Sequence, residues 1–486
     1  MGKIKLIIML FSSSPAYTIL VRLRFKNRVG MLGLVTSVIN DVGGEVRGIM
    51  VVESGRDWIT REIHINVRDG SHAKEVIKNI SKIEGVVVES VSDRTFISHL
   101  GGKLEVISKR KIATSEDLSR VYTPGVGRVV KAIEMYPDTV FTHTIKSNTV
   151  AILTDGSAVL GFGNVGPYAA IPVMEGKAAI MKEFAGINGF PICLATQDVD
   201  QIVSIVQKIS PVFGAFNLED IAAPRCFEIE KKLSETLDVP VMHDDQHATA
   251  IVVVAALLNS LKVVGKNLFD IKIVINGIGA AGYATASLLL KLGIKNIILC
   301  DRKGAIGRNG ENALNDYQRY ISQFTNEDNY TGDLKGALKG ADVFIGLSVG
   351  DILKGEDLKV MNKDAIVFAL ANPIPEVNPL EAEKYVRIVA TGRSDFPNQI
   401  NNAIVYPGFF KGLLQARATK INDDMKIAAA YAISHLIDES ELYEEYIIPS
   451  IFDLRVVDTI AEAVSAIAIR DGLVRKINPV KDIVEI

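Results

Sequence analysis

A chain of 486 residues is too long for one ordinary core and predicts two to four domains of about 100 to 200 residues each. It is 48% apolar and 23% charged, the balance of a globular protein, which excludes a large disordered fraction. A net charge of -3 lacks the basic excess of a nucleic-acid-binding surface, so no nucleic acid is expected and small molecules are the expected partners. Cys193, Cys226 and Cys300 stand far apart with no CxxC pair, which supports neither a disulfide framework nor a thiolate metal site and fits a reducing cytoplasm. The apolar run Leu6 to Phe11 is shorter than a signal-peptide core, and no run of about 18 apolar residues predicts a membrane span.

In chain order, Ile19, Val21, Leu23 and Phe25 alternate with polar residues and predict a strand over 17–25. Met31, Leu34, Val35, Val38 and Ile39 recur at helical spacing, and Gly43-Gly44 ends that helix. Two strands follow, 46–52 and 58–67, joined by a hairpin tip at Ser54-Gly55-Arg56. Ala73, Val76, Ile77 and Ile80 predict a second helix, and 86–91 a last strand. The order βαββαβ is the ferredoxin-like split βαβ. By this order, and by the Val29-Gly30-Met31-Leu32 turn, residues 1–95 resemble an ACT domain. The resemblance implies either a site for an amino-acid or other small-molecule effector or a dimerisation module, since fold alone does not choose between them.

Leu100-Gly101-Gly102-Lys103 reads as a linker to two further domains, 96–247 and 248–486. In the last of these, apolar strands around 271–275, 297–300, 343–347 and 366–370 alternate with helices, which predicts a parallel sheet wrapped by helices. The first strand runs into Gly277-Ile278-Gly279-Ala280-Ala281-Gly282 and then a helix, the strand, GxGxxG, helix order of a dinucleotide site. Asp301 ends the next strand, where an acidic side chain bonds an adenine-ribose hydroxyl about 20 residues past the glycines. Its charge favours NAD over NADP, while Arg302 and Lys303 beside it suit a 2'-phosphate.

Upstream, Asn217-Leu-Glu219-Asp220 and His243-Asp244-Asp245-Gln-His247 each follow an apolar strand-like run, 212–216 and 239–242. Carboxylates meeting at neighbouring strand ends repel unless a cation joins them, and oxygen ligands select Mg2+ or Mn2+. His243 and His247 have zincin spacing, but Asp244 stands where that motif needs Glu. Helix capping is the alternative role for the aspartates.

Seven segments in order resemble the malic enzymes: Tyr122-Thr-Pro-Gly125, Thr154-Asp-Gly-Ser-Ala-Val-Leu160, Met174-Glu-Gly-Lys-Ala178, Asn217-Leu-Glu-Asp220, His243-Asp-Asp-Gln-His247, Ala371-Asn-Pro-Ile-Pro375, and Thr391-Gly-Arg-Ser-Asp395 through Asn401-Asn402. The similarity runs from about residue 109 to about 469 and is to the short prokaryotic type. It implies an α/β core of two lobes, one like an amino-acid dehydrogenase and one a Rossmann NAD(P) lobe, in a homodimer or larger homo-oligomer. It also implies oxidative decarboxylation of malate to pyruvate, and activity on oxaloacetate. By the resemblance Tyr122 is the general acid and Lys177 the base. Glu219, Asp220 and Asp245 are metal ligands, and Asp244 partners Lys177. Asn372 and Asn402 contact substrate or nicotinamide. Ala158 stands in place of the substrate arginine of the animal enzymes, which leaves Arg393 as a carboxylate-binding candidate or a surface ion-pair residue. The rival readings are an ACT-linked amino-acid dehydrogenase and an amino-acid sensor with a vestigial catalytic lobe.

Overall fold

A computed structural model describes residues 14–159 and 161–475. The apolar run Leu6 to Phe11 lies outside the described residues. The chain divides into two compact units, 1–103 and 104–486, each with its own core. In the first, β1 (Ser14–Lys26), α1 (Met31–Asp41), β2 (Glu45–Ser54), β3 (Trp58–Val67), α2 (Gly70–Ile80) and β4 (Val86–Asp93) follow in the expected order. The strands form one antiparallel sheet, β2-β3-β1-β4. Alternation in β1 turns Ile19, Val21, Leu23 and Phe25 onto the two helices, whose buried stripes are Met31, Val35, Ile39 and Val76, Ile80. Leu34, expected in the stripe, is exposed, because the buried line in α1 follows strict i, i+4 spacing. Asp69 starts α2 three residues before the expected point, by accepting the Ser71 and His72 backbone N–H groups.

The second unit begins with α3 (Ser115–Val121) and α4 (Val126–Met135), neither of which buries a residue. Its first sheet is parallel, in the order β6-β5-β7-β8, built from β5 (Thr149–Thr154), α5 (Gly166–Ala185), β6 (Asn188–Cys193), β7 (Ala215–Leu218), α6 (Arg225–Thr236) and β8 (Val241–His243). Strand β5 was not anticipated. Its six residues are all buried, so the run has no alternation to read.

Helix α7 (Asp244–Val264) leads out of β8 into the second sheet. It is long and apolar enough to cross a bilayer, but most of it is clad by its own chain. The second sheet has the order β11-β10-β9-β12-β13-β14 and is parallel except for the short β11. Its elements are β9 (Ile273–Asn276), α8 (Ala280–Lys291), β10 (Ile297–Asp301), β11 (Gly304–Ala305), α9 (Asp316–Ser322), β12 (Val343–Gly346), β13 (Ile366–Ala369) and β14 (Ile388–Thr391). The four strands expected here are present, and β14 joins them at the edge. Burial of each fully enclosed Val, Ile or Phe in these strands contributes about 1.5 to 3 kcal/mol.

Two late helices close the unit, α10 (Tyr406–Ala416) and α11 (Arg455–Arg470). They cross at glycines: a Cβ on Gly412 would stand 2.5 Å from the Ala461 carbonyl oxygen and one on Gly408 2.7 Å from that of Val457. Gly412→Leu is therefore expected to force the helices apart and to cost about 3 kcal/mol, read as a lower urea midpoint. An unchanged midpoint would show that the crossing tolerates a side chain.

Candidate active site

Strands β7 and β8 are parallel neighbours, and their carboxyl ends deliver the acidic residues side by side. Glu219 and Asp220 follow β7 directly, Asp220 with a φ of 53°, and Asp244 and Asp245 open α7 after β8. Lys177 reaches the same place from α5 and is buried. Its Nζ stands 2.5 Å from Glu219 Oε1 and also pairs with Asp244 Oδ2. Asp244 Oδ2 accepts a second bond from Asn402 Nδ2 at 2.6 Å, Glu219 accepts from Asn217 Nδ2 at 2.9 Å, and Asp245 from the Asp220 backbone N–H at 2.9 Å. The ring of Tyr406 lies 4.5 Å from the Lys177 ammonium.

One ammonium thus faces four carboxylates. Burial raises the carboxyl of Glu219 well above the ordinary range, with the charges of Asp245, Asp244 and Asp220 adding to it and Lys177 opposing. Burial, then Asp245, raises Asp220 to about 7, and burial raises Asp244 against the pull of Lys177. Burial would strip the Lys177 proton, but Asp244 and Glu219 hold the group as an ammonium, well above its ordinary value. A general base must be neutral, and the protein groups alone do not make Lys177 so. Donor atoms of Glu219, Asp244 and Asp245 lie within 4.8 Å of one another, and Asp220 Oδ2 and Asp244 Oδ1 are buried with no hydrogen-bond partner. Hard oxygen donors with unused lone pairs fit a divalent cation. Asp244, expected only beside the lysine, belongs to this group as placed.

The start of α7 is held from α6. Glu230 accepts the His243 backbone N–H at 2.7 Å and Gln246 Nε2 at 3.2 Å, and the His247 ring nitrogen lies 3.0 Å away. His247 is thus spoken for by a carboxylate, against the zincin reading. Burial alone would raise the Glu230 carboxyl, but the charge and hydrogen bond of His247, with His243 adding, hold it at about 2. His247 is pushed below its ordinary value, burial outweighing Glu230.

The nucleotide half is built at the ends of β9 and β10. Gly277 has a φ of 95°, and a Cβ on Gly282 would meet the Gly277 carbonyl oxygen at 2.0 Å, so the turn and helix α8 close only on glycine. Asp301 lies beside this turn, and its Oδ2 accepts the Ile278 backbone N–H at 3.3 Å. The Arg302 backbone N–H donates to Oδ1 at 2.8 Å, and the Arg302 side chain is exposed. Across the sheet, Asn276 Nδ2 donates to Ser348 Oγ at 2.7 Å, joining the β9 and β12 ends. Asn372 follows β13 ahead of a cis peptide to Pro373, and its Nδ2 donates to Leu370 O at 3.3 Å. Arg393 is tied to Asp395 by two bonds of 2.8 and 2.6 Å and to Pro373 O at 3.3 Å, which is the ion-pair role.

Tyr122 is not brought to this cluster within the chain. It caps α3, on a helix pair that buries nothing, and is 67% exposed. Sequence reasoning also missed the buried Tyr406 and Glu376 and the half-buried Glu230. Tyr406 lies four residues past Asn402. Glu230 lies a turn into α6, and Glu376 accepts the Ser348 and Ala371 backbone N–H groups at 2.9 and 3.0 Å, fixing the loops after β12 and β13. At Glu376, a carboxylate between the apolar residues Pro375 and Val377 was the available signal; Glu230, among Glu228, Lys231 and Lys232, carried none.

Comparison with known proteins bears on the whole chain. The family models described as malic enzyme, N-terminal domain, malic enzyme, NAD binding domain, and ACT domain match residues 101–234, 247–469 and 13–88. The NAD-dependent malic enzyme of Geobacillus stearothermophilus is 52% identical over 470 residues, which cover 97% of this chain and 98% of that protein. The bifunctional malic/malolactic enzyme of Bacillus subtilis is 51% identical over 375 residues, 77% of this chain and 92% of that one. The crystal structure of an NAD-dependent malic enzyme from Thermotoga maritima has 47% identity and a TM-score of 0.74, and covers 77% of this chain and 99% of that one. These likenesses do not favour the amino-acid dehydrogenase or the vestigial sensor.

The Glu230 pair has one sign for stability. The unfolded chain takes up protons first, at His247 from about pH 6.5 and at Glu230 from about 4.5, so acidification removes folding free energy. Glu230→Gln is expected to lower the melting temperature at about pH 8, to steepen its fall between about pH 6.5 and 4.5, where His247 has lost the carboxylate that raises it, and to flatten it below about pH 4.5, as followed by calorimetry. A variant as steep as the parent would remove Glu230 from this role.

Proposed function

The chain belongs to the malic enzyme family, and on that premise we propose that it oxidises malate with NAD(P), releases CO2 and yields pyruvate, with oxaloacetate as a second substrate. The observation that carries the reading is the buried contact of Lys177 with Glu219 and Asp244 at the carboxyl ends of β7 and β8. Glu219, Asp220 and Asp245 would hold Mg2+ or Mn2+, with Asp244 between them and Lys177. When bound, the cation supplies Lewis acidity at the C2 oxygen and offsets the carboxylate charge that otherwise keeps Lys177 protonated.

Lys177 takes the proton of the C2 hydroxyl. Asp244, itself held by Asn402, keeps its Nζ in place, and the Tyr406 ring closes the far side against water. The C2 hydride goes to the nicotinamide, seated by Gly277 to Gly282 and Asn372, with Asp301 on the adenine ribose and NAD ahead of NADP. After CO2 leaves, Tyr122 donates the proton that C3 requires, the usual office of a positioned weak acid. Its exposure is the second half of the proposal. Leu118, Val121, Tyr122, Val130 and Met135 form an apolar surface on α3 and α4 that a second copy would cover, so the enzyme works as a homodimer with Tyr122 supplied across the interface. The ACT-type unit serves a small-molecule effector or pairs copies of the chain.

Lys177→Ala and Tyr122→Phe are each expected to reduce malate-dependent NADH formation by at least about 100-fold. Tyr122→Phe keeps ketoacid reduction. When the two inactive variants are unfolded and refolded together, random dimers carry one site with both groups intact, and activity returns to about a quarter of the parent. No recovery would place Tyr122 in its own chain's site. In a separate test, Mn2+ at about 100 times its dissociation constant is expected to stabilise the protein by about 2.7 kcal/mol, and Asp245→Asn to abolish that gain. Full stabilisation of the Asn variant would exclude this carboxylate as a ligand.

A further inference from the structure

Malate brings two carboxylates to a place already crowded by Glu219, Asp220, Asp244 and Asp245. A divalent ion and Lys177 together carry less charge than those four, so a further anion needs a further cation. Arg393 is taken by Asp395, and position 158, in the turn after β5, is an alanine. Arg225, the first residue of α6, is a guanidinium at the same strand ends that nothing in the reaction so far employs.

Its place follows from the sheet. Strands β5 and β7 pair in parallel with Leu153 opposite Leu218, so Asp155 and Asp220 leave the two strands side by side. The Ser157 hydroxyl accepts the Ala222 backbone N–H and the Asp220 carbonyl accepts that of Ala158, both at 2.9 Å, which knits turn 155–158 to turn 220–225. Across this seam Arg225 Nη2 donates to Asp155 Oδ2 at 3.1 Å and to Gln197 Oε1 at 3.4 Å. Asp155 is buried, and its charge adds to burial, Asp245 and Asp244 in raising the Asp220 carboxyl. One carboxylate thus separates the guanidinium from the cluster. Both bonds use Nη2; Nε is buried with no hydrogen-bond partner among the described residues, and neither bond draws on Nη1. A third of the side chain remains exposed. A planar fork anchored at one nitrogen has its other donors left for a planar anion.

We propose that Arg225 binds the C1 carboxylate of malate and sets the affinity for it, with Asp155 and Gln197 holding the guanidinium in place. C1 is chosen by the chemistry. The C4 carboxylate leaves as neutral CO2, so a cation bound to it would hold the cleavage back, whereas the C1 charge persists from malate to pyruvate. The assignment rests on malate as the substrate, the reading of the preceding section.

The test measures initial rates of the full-length protein with NAD and Mn2+ against malate, with pyruvate as product inhibitor, and NADH binding by nicotinamide fluorescence. Arg225→Lys keeps a cation for Asp155 and loses the planar fork. It is expected to raise the malate KM and the pyruvate inhibition constant together by about tenfold, with kcat within about threefold and NADH binding unchanged. Arg225→Gln removes the charge and is expected to raise both constants by about 100-fold. The Lys variant decides the matter if the Gln variant, which leaves Asp155 buried and unpaired, fails to fold. Constants for malate and pyruvate that stay at the parent's values overturn the proposal. So does a fall in kcat with NADH weakened alongside malate, which marks a structural role, and so does weakening of NADH alone, which gives Arg225 to the dinucleotide. A rise for malate without one for pyruvate places the guanidinium on C4 and overturns the C1 assignment. A parent that does not turn malate over removes the malate reading and this proposal with it, a failure distinct from one confined to the variants.

Discussion

The imbalance of charge around Lys177 governs the catalytic unit. Glu219, Asp220, Asp244 and Asp245 meet one ammonium in a place from which water is largely removed. Removing an ionised carboxylate from water is strongly unfavourable unless it is paired. The chain meets that cost only in part, with Lys177, Asn402, Asn217 and two helix and strand ends, and it leaves oxygens on Asp220 and Asp244 unmatched. What remains is a site under electrostatic tension, which protons or a divalent cation relieve. The tension accounts for the ammonium form of Lys177 among its protein partners, and its relief is what the proposed base role requires.

Such a cluster needs a rigid frame, because a shift of an ångström changes every pair energy. The frame is assembled from backbone donors. Glu230 fixes the first turn of α7, and Glu376 draws together the loops after β12 and β13. Phe227, Tyr283 and Tyr317 stack with centroids 4.5 to 5.9 Å apart and tie α6 to α8 and α9, so the acidic strand ends and the dinucleotide turn share one packed wall. Each anchoring carboxylate is bonded to backbone groups that cannot move independently of the fold.

Much of this was legible in the chain. The N-terminal unit announces itself by clean alternation followed by helical spacing, because its sheet has one covered face and one open one. The strand ahead of Gly277 was readable from its glycines and its apolar run. Strand β5 and edge strand β14 were not, since a short buried strand carries no period that tells it from a buried turn of helix. The acidic motifs were visible as candidates. That Asp244 joins the carboxylate cluster and that Tyr406 backs Lys177 depend on elements far apart in the chain.

By itself the sequence determined the chemistry available and the order of the parts: a ferredoxin-like unit, then carboxylates and a lysine, then a dinucleotide turn with Asp301 beyond it. Those are local properties, set by residue type and spacing. Only the tertiary structure decided which groups share a dielectric environment, and therefore which are charged. It drew Lys177 from α5, Glu219 from β7, Asp244 from α7 and Asn402 from a turn 158 residues further on into one contact. It also left Tyr122 exposed, on two helices that bury no residue among those described.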